Sequence, residues 1–524
     1  MSAKFLQQLK DSEIVIGLVG AVGTNLTLVS EVIKEELLNL QYGSCVIKLS
    51  DILKEIPLYK NECKGNVSED IRLKKLMDSG DDLRKRTKAG EALALLGISA
   101  IREFRFENCG AEERPIPRHA FILQSLKHPE EVKKLRKIYA GAFSLISVYS
   151  PRSERVDRLA EKIAESKKDS DTSLYRSKAE DLVVCDARSA DKEFGQNVQD
   201  TFPEGDFFIR MAEKEAIRKE IKRFLEAWFA HPFHTPKKDE YGMFLANTVS
   251  LRSADLSRQV GSVITNCDGE VLAVGCNEVP KALGGAVWED DGGDYRDFQI
   301  GYDSSAKMKE MIVNELLGRL KEKGWLADNI NDIETKELID KALHDSDAPL
   351  NGARIASILE FGRIVHAEMS AIMDAARRGI SLQGATLYCT TFPCHMCARH
   401  IIAAGIARVV FIEPYPKSMA KVLYQKTIHL DEEASSESCV SFESFVGISP
   451  NKYVDLFAMK KRKNKDGTIV NWVPTVSFPS VNMIVPTYID VETIITAHIN
   501  ENKESFGFLP KPEKKPKKGG KNDI

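Results

Sequence analysis

HAEMSAIMDAARRGISLQGATLYCTTFPCHMCARHIIAAGIARVVFIE, residues 366–413, reads as helix, strand, helix, strand. Apolar residues at helical spacing alternate in it with short β-rich runs. That order is α/β, and neighbouring stretches extend it in both directions. Upstream, VGSVITN (260–266), the turn Cys267-Asp268-Gly269 and EVLAVGCN (270–277) read as a hairpin. Between the hairpin and His366 lies a long charged insertion, 278–361.

Within the stretch, His366-Ala367-Glu368 is followed by Pro393-Cys394-His395-Met396-Cys397. One imidazole and two thiolates supply three ligands for a tetrahedral zinc ion, His366, Cys394 and Cys397, leaving a fourth position open as a hydrolytic site requires. Cys394 and Cys397 stand at the start of the helix CHMCARHIIAAG, where its dipole favours thiolates. Glu368, two residues from a ligand, is the catalytic candidate, a carboxylate placed to move protons. His395 and His400 fall outside the completed ligand set, and Cys276 and Cys389 read as buried small apolar residues.

Further out, the first half alternates strand and helix. IVIGLVG (14–20) runs into LTLVSEVIKEELL (26–38), and CVIKLSD (45–51), AFILQSL (120–126), FSLISVY (143–149), DLVVCDA (181–187) and DFFIRM (206–211) read as further strands. A parallel sheet with crossover helices is expected. The helical EKEAIRKEIKRFLEAWFA (213–230) ends at HPFHTPKKDEYG, whose prolines and charges mark a boundary. The expected organisation is therefore a first domain over 1–225, a second over 240–500 carrying the insertion 278–361, and a lysine-rich disordered tail over 501–524, where six lysines from Lys511 onward cannot form a core.

Composition sets the outer bounds. The 524 residues, at about 150 per domain, exclude a single small module. Lys and Arg total 74 against 77 Asp and Glu, a net charge of -3, so free polynucleotide is not the default ligand. With ten cysteines, no apolar leader and no run approaching the roughly 20 apolar residues of a membrane span, a reducing cytoplasm is the expected compartment and no membrane partner is expected.

From Ser253 to about Phe457 the chain resembles the deoxycytidylate deaminase branch of the cytidine deaminase superfamily, through SADLSRQVGSVIT, Gly275-Cys276-Asn277, VHAEMSAI and TTFPCHMC. The histidine, glutamate and paired cysteines form the signature of zinc nucleobase deaminases, in which activated water attacks the ring and the glutamate shuttles protons. The resemblance implies a cytidine deaminase-like α/β/α fold. It makes Asn277 the candidate sugar contact and the Ala367 backbone the reader of the pyrimidine edge. Lys417, Arg258, Arg296 and Arg363 are candidates for the substrate phosphates.

With the first half included, the order resembles bacterial anti-phage dCTP deaminases, a P-loop kinase-like domain preceding the deaminase. LKHPEEVKKLRKIYAGAFSLISVYSPRSERVDRLAEKI, FIEPYPKS and VGISPNKYVDLF carry this likeness. It implies deamination of free deoxycytidine nucleotides, dCTP to dUTP and dCMP to dUMP, and starvation of a replicating phage for dCTP. It also implies a homo-oligomer, a nucleotide ligand at the first domain and, as in some members, a small inhibitory RNA. A housekeeping dCMP deaminase, a nucleic-acid-editing deaminase and a zinc-stabilised sensor without catalysis stay open beside it.

The first domain departs from the P-loop pattern G-x-x-x-x-G-K-[ST]: with Gly23 as the second glycine, Leu18 stands at the first, Thr24 at the lysine and Asn25 at the hydroxyl residue. Gly17, Gly20, Gly23 and Thr24 are the candidate cofactor-binding residues, their backbone amides cradling a phosphate without the lysine. Nucleotide or regulatory binding, a plain α/β turn and kinase activity are the three readings. Arg152, Arg155 and Arg158 fit either a lid over phosphates or a solvated helix face.

Overall fold

Strand β1 (Ile14–Val19) is buried along its whole length. Ile14, Ile16 and Leu18 feed one apolar cluster and Val15 and Val19 another, which is why IVIGLV is continuously apolar rather than alternating. The computed structural model describes residues 11–60, 67–188, 194–345, 348–350, 353–358, 361–414, 418–430, 439–480 and 487–508. They fall into two units, Met1–Glu240 with Val446–Ile524, and Tyr241–Phe445.

In the first unit β1 is flanked by β3 (His119–Leu126) and β4 (Phe143–Tyr149), with β2 (Gly43–Lys48) beyond β3 and β5 (Phe207–Arg210) beyond β4, all parallel. The short strand Gly447–Ile448 closes the edge antiparallel to β5. Helix α1 (Leu26–Asn39) follows β1, its N-cap Asn25 accepting the Leu28 N–H. Helices α2 (Glu69–Thr87), α3 (Ala92–Cys109), α4 (Arg152–Lys167) and α5 (Arg176–Arg188) complete what the candidate site needs.

Helix α5 corrects the expected strand at 181–187. Ala179, Leu182 and Val183 pack with Val156, Leu159, Ala160 and Ile163, so the buried positions recur at helical spacing, and Asp186, next in that series, is buried too. Short apolar runs do not by themselves separate strand from helix.

The expected second-domain span 240–500 is also corrected, because the chain from Val446 belongs to the first unit. Helix Thr487–Glu501 supplies Tyr488, Ile489, Ile495 and Ile499 to the cluster around β1 and β3. Its Glu492 pairs with the fully buried Arg105, which also binds Glu13 at 2.7 Å, and Tyr139 donates to Glu492 at 2.6 Å. Three charges buried together must be paired, and Arg105 draws its partners from 92 residues before it and 387 after it. The expected tail begins inside this unit: Phe506 is buried, and Arg86 donates to the Glu504 carbonyl. Residues 509–524, with the lysine run, lie outside the described residues.

The second unit carries a second six-stranded sheet. The predicted hairpin is β6 (Gly261–Thr265) and β7 (Val271–Cys276), antiparallel. Strand β6 pairs antiparallel with β8 (Thr386–Thr391), which runs parallel to β9 (Arg408–Glu413). Strands β10 (Ile428–Leu430) and β11 (Val440–Ser444) extend the parallel part. Both units are thus mixed α/β. The insertion leaves the sheet at Glu278 and returns at Val365, and these two residues bridge to one another. No helix among the described residues is long and apolar enough to cross a membrane.

Candidate functional site

Helices α6 (Ala367–Arg378) and α7 (His395–Ala403) begin at the same place in the second unit, and the predicted metal ligands stand at their starts. Gly275 on β7 makes the first start possible: a Cβ there would lie 2.4 Å from the Ala367 carbonyl oxygen and the Ala371 nitrogen. Only a glycine lets the helix press this closely onto the strand.

His366 is the N-cap of α6, and Cys394 is the N-cap of α7, its sulfur accepting the Cys397 N–H at 3.5 Å. His366 Nδ1 lies 3.4 Å from both Cys394 Sγ and Cys397 Sγ. For ordinary Zn–N and Zn–S bond lengths the edge of a tetrahedron is about 3.6 Å, so the donors sit at the separations one ion requires. Among the described residues this is the one group of His, Cys, Asp and Glu able to hold a metal, and its donor types suit zinc.

Electrostatics within the triangle favour the ligating form at Cys394 alone, and His366 and Cys397 must each give up a proton to a metal. Hydrogen bonding from Cys397 and from His366 lowers the Cys394 thiol to about 4, and the bond to Cys394 raises His366 to about 9. Cys397, which shares its proton with Cys394, is pushed up. Glu368, 4% exposed in the first turn of α6, has its carboxyl raised by burial, so it holds a proton more readily than a surface glutamate.

The other sequence candidates scatter. Ala367 is fully buried beneath β7. Asn277 is buried with its amide engaged by the chain: Oδ1 accepts the Val260 N–H and Nδ2 donates to the Arg258 carbonyl, both at 2.7 Å. Arg258 pairs with Glu413 at 3.7 Å. Arg296 is buried in the insertion against Asp294, and Arg363 pairs with Asp297 and donates to the Tyr295 carbonyl. These two arginines brace the insertion. Lys417 lies outside the described residues. His400 bonds the Met396 carbonyl one turn back, and Cys276 and Cys389 are buried. Sequence reasoning passed over Glu278, whose buried carboxylate accepts the Ala254 and Val279 N–H groups beside Asn277. A charged residue directly after an apolar strand end was the available signal.

In the first unit, Gly17 lies inside β1 opposite Leu123 and Leu145, whereas Gly20, Gly23 and Thr24 form the turn before α1. Gly23 has φ +88, and a Cβ there would meet the Arg155 carbonyl oxygen at 2.7 Å. Arg155 packs on the turn, donating to the Ser150 and Val22 carbonyls. Arg152 is exposed and Arg158 half-buried. The Val22 N–H donates to Asp186 Oδ2 at 2.8 Å, and Lys127 donates to the Gly20 carbonyl at 2.8 Å. Neither Asp186 nor Lys127 stood out in the sequence.

Residues 236–413 match the family described as the cytidine and deoxycytidylate deaminase zinc-binding region. That part of the chain therefore carries a zinc-binding domain of this kind, in which His366, Cys394 and Cys397 are the group able to hold a metal ion. A deoxycytidylate deaminase of Enterobacteria phage T2 is 48% identical over 54 residues, 10% of this chain and 29% of that protein. A deoxycytidylate deaminase of Pongo abelii is 24% identical over 173 residues, 33% of this chain and 63% of that protein. The chain thus spans less than a third of the phage relative's length. Among solved structures, a dCMP deaminase from the cyanophage S-TIM5 in complex with dCMP and dUMP is 18% identical, covering 41% of this chain and 100% of that one, with a TM-score of 0.23.

Proposed function

We propose that the second unit is a zinc-dependent deaminase of free deoxycytidine nucleotides, converting dCTP to dUTP and dCMP to dUMP. The observation that carries this is the triangle of His366, Cys394 and Cys397 with a buried carboxylate, Glu368, two residues from one apex. Zinc, when bound, supplies Lewis acidity that brings a water's pKa from 15.7 to about 7. Glu368 takes the proton from the attacking water, passes it to ring N3 as C4 becomes tetrahedral, and delivers a proton to the departing ammonia. Its raised carboxyl pKa suits both directions of that traffic. The Ala367 backbone is the proposed reader of the pyrimidine edge and Asn277 the proposed sugar contact.

Preference for dCTP and a role in starving phage of dCTP in the cytoplasm rest on the two-domain likeness described from the sequence. In this reading the first unit is a P-loop kinase-like regulatory domain that binds a phosphate-bearing ligand without transferring phosphate. The glycine turn at the carboxyl edge of β1 supports it, as does threonine at position 24 where a kinase needs lysine. A housekeeping dCMP deaminase is the second reading, favoured by the deoxycytidylate deaminases among the relatives.

The test incubates the purified zinc-loaded chain separately with dCTP, dCMP, CTP and single-stranded DNA and measures uracil products. Turnover of dCTP with no reaction on DNA is expected. Turnover of dCMP alone would replace the first reading with the second, and uracil in DNA would overturn both.

A further inference from the structure

The glycine turn lies where β1 meets β3 on one side and β4 on the other. The crossover from β1 runs to β2 on one side and the crossover from β3 runs back past β1 to β4 on the other, and open α/β sheets form their ligand crevice where the direction reverses, outside the carboxyl ends of the strands. A cavity of about 380 Å³ occupies it, lined by Gly20, Gly23 and Thr24. Six cationic side chains line the same cavity against two acidic ones, Asp51 and Glu69.

The cations come from elements the P-loop pattern does not include. Lys48 is the last residue of β2, Lys127 directly follows β3, and Arg84 comes from α2. Arg84 is 1% exposed: one terminal nitrogen reaches Glu131 at 3.1 Å and the other lies 3.6 Å from Asp81, while its Nε has no hydrogen-bond partner. A buried guanidinium with an unused donor in the wall of a cationic cavity is an unmet demand for an acceptor. The lysine absent from position 24 is thus replaced in space by cations on the neighbouring strand ends.

One anion already stands in the turn. Asp186, on α5 and 5% exposed, accepts the Val22 N–H at 2.8 Å and the Gln196 amide at 2.6 Å, and Lys127 Nζ lies 3.7 Å from it. A turn amide and a lysine are the partners that a phosphate oxygen takes at such a turn. A single carboxylate satisfies them, and because Lys54 and Arg72 pair with Asp51 and Glu69, the remaining cationic excess on the cavity is carried by Lys48 and Lys162.

We propose that this cavity binds a polyphosphate group, gripped by Lys127 with Lys48 and Arg84, and that Asp186 is a built-in placeholder on the Val22 amide and Lys127 which the ligand displaces. This rests on the reading of the first unit as a phosphate-binding domain and adds to it the gripping residues and the internal competitor.

The experiment titrates the full-length chain with inorganic tripolyphosphate and, separately, with ATP by calorimetry, using the parent, Asp186→Asn and Lys127→Met; zinc content and melting temperature report folding. Asp186→Asn is expected to bind both probes about tenfold tighter, because the competing charge is gone while Asn can still accept the Val22 N–H. Lys127→Met is expected to bind about tenfold weaker. Tighter binding of ATP than of tripolyphosphate identifies a nucleotide site, and equal binding a site for the phosphate chain alone. A folded Asp186→Asn protein with parental affinity overturns the placeholder. If that variant does not fold, unchanged affinity in Lys127→Met overturns the grip and with it the proposal. Binding by neither parent nor variants would instead remove the phosphate-binding reading of the unit, a result distinct from equal binding by all three.

Discussion

The zinc triangle of the second unit and the glycine turn of the first are both built where helices begin, and they meet the demand for charge in opposite ways. At the triangle, the anionic donors Cys394 and Cys397 sit three residues apart on one helix start, with His366 on another, and the unit presents them to a cation. At the turn, the backbone presents N–H groups to an anion, and the chain fills one of them with its own Asp186. A site meant for a metal can be written as a short motif because the ion gathers the ligands. A site meant for an anion takes its side chains from wherever the sheet brings strand ends together, so its key residues are distant in sequence.

The sharpest way to break this comparison is to remove a metal donor. Cys394→Ala or Cys397→Ala is expected to reduce bound zinc from about one per chain to near none and to abolish deamination, because two donors do not hold the ion and metal binding is coupled to local folding. Elemental analysis after gel filtration, beside a product assay, reads both effects. Full zinc occupancy in either variant would mean that the triangle is not the metal site.

Next in size is Glu368→Gln, which keeps the shape and removes the proton carrier. Zinc content is expected to stay near one per chain while the rate on the preferred nucleotide falls by about 10²–10⁴. Loss of zinc would make the residue structural, and retained turnover would move the acid/base role elsewhere.

These two regions also measure how far the sequence could be read. His366, Cys394 and Cys397 were legible because their spacing constrains chemistry directly, and the alternating strands were legible because β1, β3 and β4 are buried on both faces. Asp186 was hidden inside DLVVCDA, whose β-branched pair reads as a strand until packing against Val156 and Leu159 shows one buried helical face. The return of residues after 446 to the first unit was illegible for a related reason. What recruits Glu492 is Arg105, 387 residues earlier, and no local pattern encodes that pairing. Asn277 was found by resemblance, but the bonds its amide makes to Val260 and Arg258 depend on a loop conformation the sequence does not display.

On the first unit's side, Gly23→Val tests whether the turn is as tightly specified as the metal triangle. Valine at φ +88 with a Cβ 2.7 Å from a backbone oxygen is expected to cost at least about 2 kcal/mol of that unit's stability. A lower melting temperature and lost tripolyphosphate binding, with zinc retained, are the expected readings. Parental melting and binding would leave the turn a plain connection.

The smallest expected effect belongs to Asn277, which joins the two ideas in one residue: a proposed substrate contact whose side chain is already engaged by the chain. Its Oδ1 and one Nδ2 hydrogen fasten Val260 and Arg258 just before β6, leaving the second Nδ2 hydrogen for a ligand. Asn277→Ala is expected to lower stability by about 1–3 kcal/mol, since the Val260 N–H loses a buried acceptor, and to lower kcat/KM by roughly tenfold to a hundredfold. The two roles separate on a deoxycytidine nucleotide compared with its 3′-deoxy analogue. If Asn277 holds the sugar hydroxyl, the parent prefers the hydroxylated nucleotide and Asn277→Ala loses most of that preference, because the absent hydroxyl no longer leaves a donor unpaired. If it only fastens the loop, both nucleotides slow by the same factor and the preference survives, and the sugar contact must be sought on another residue.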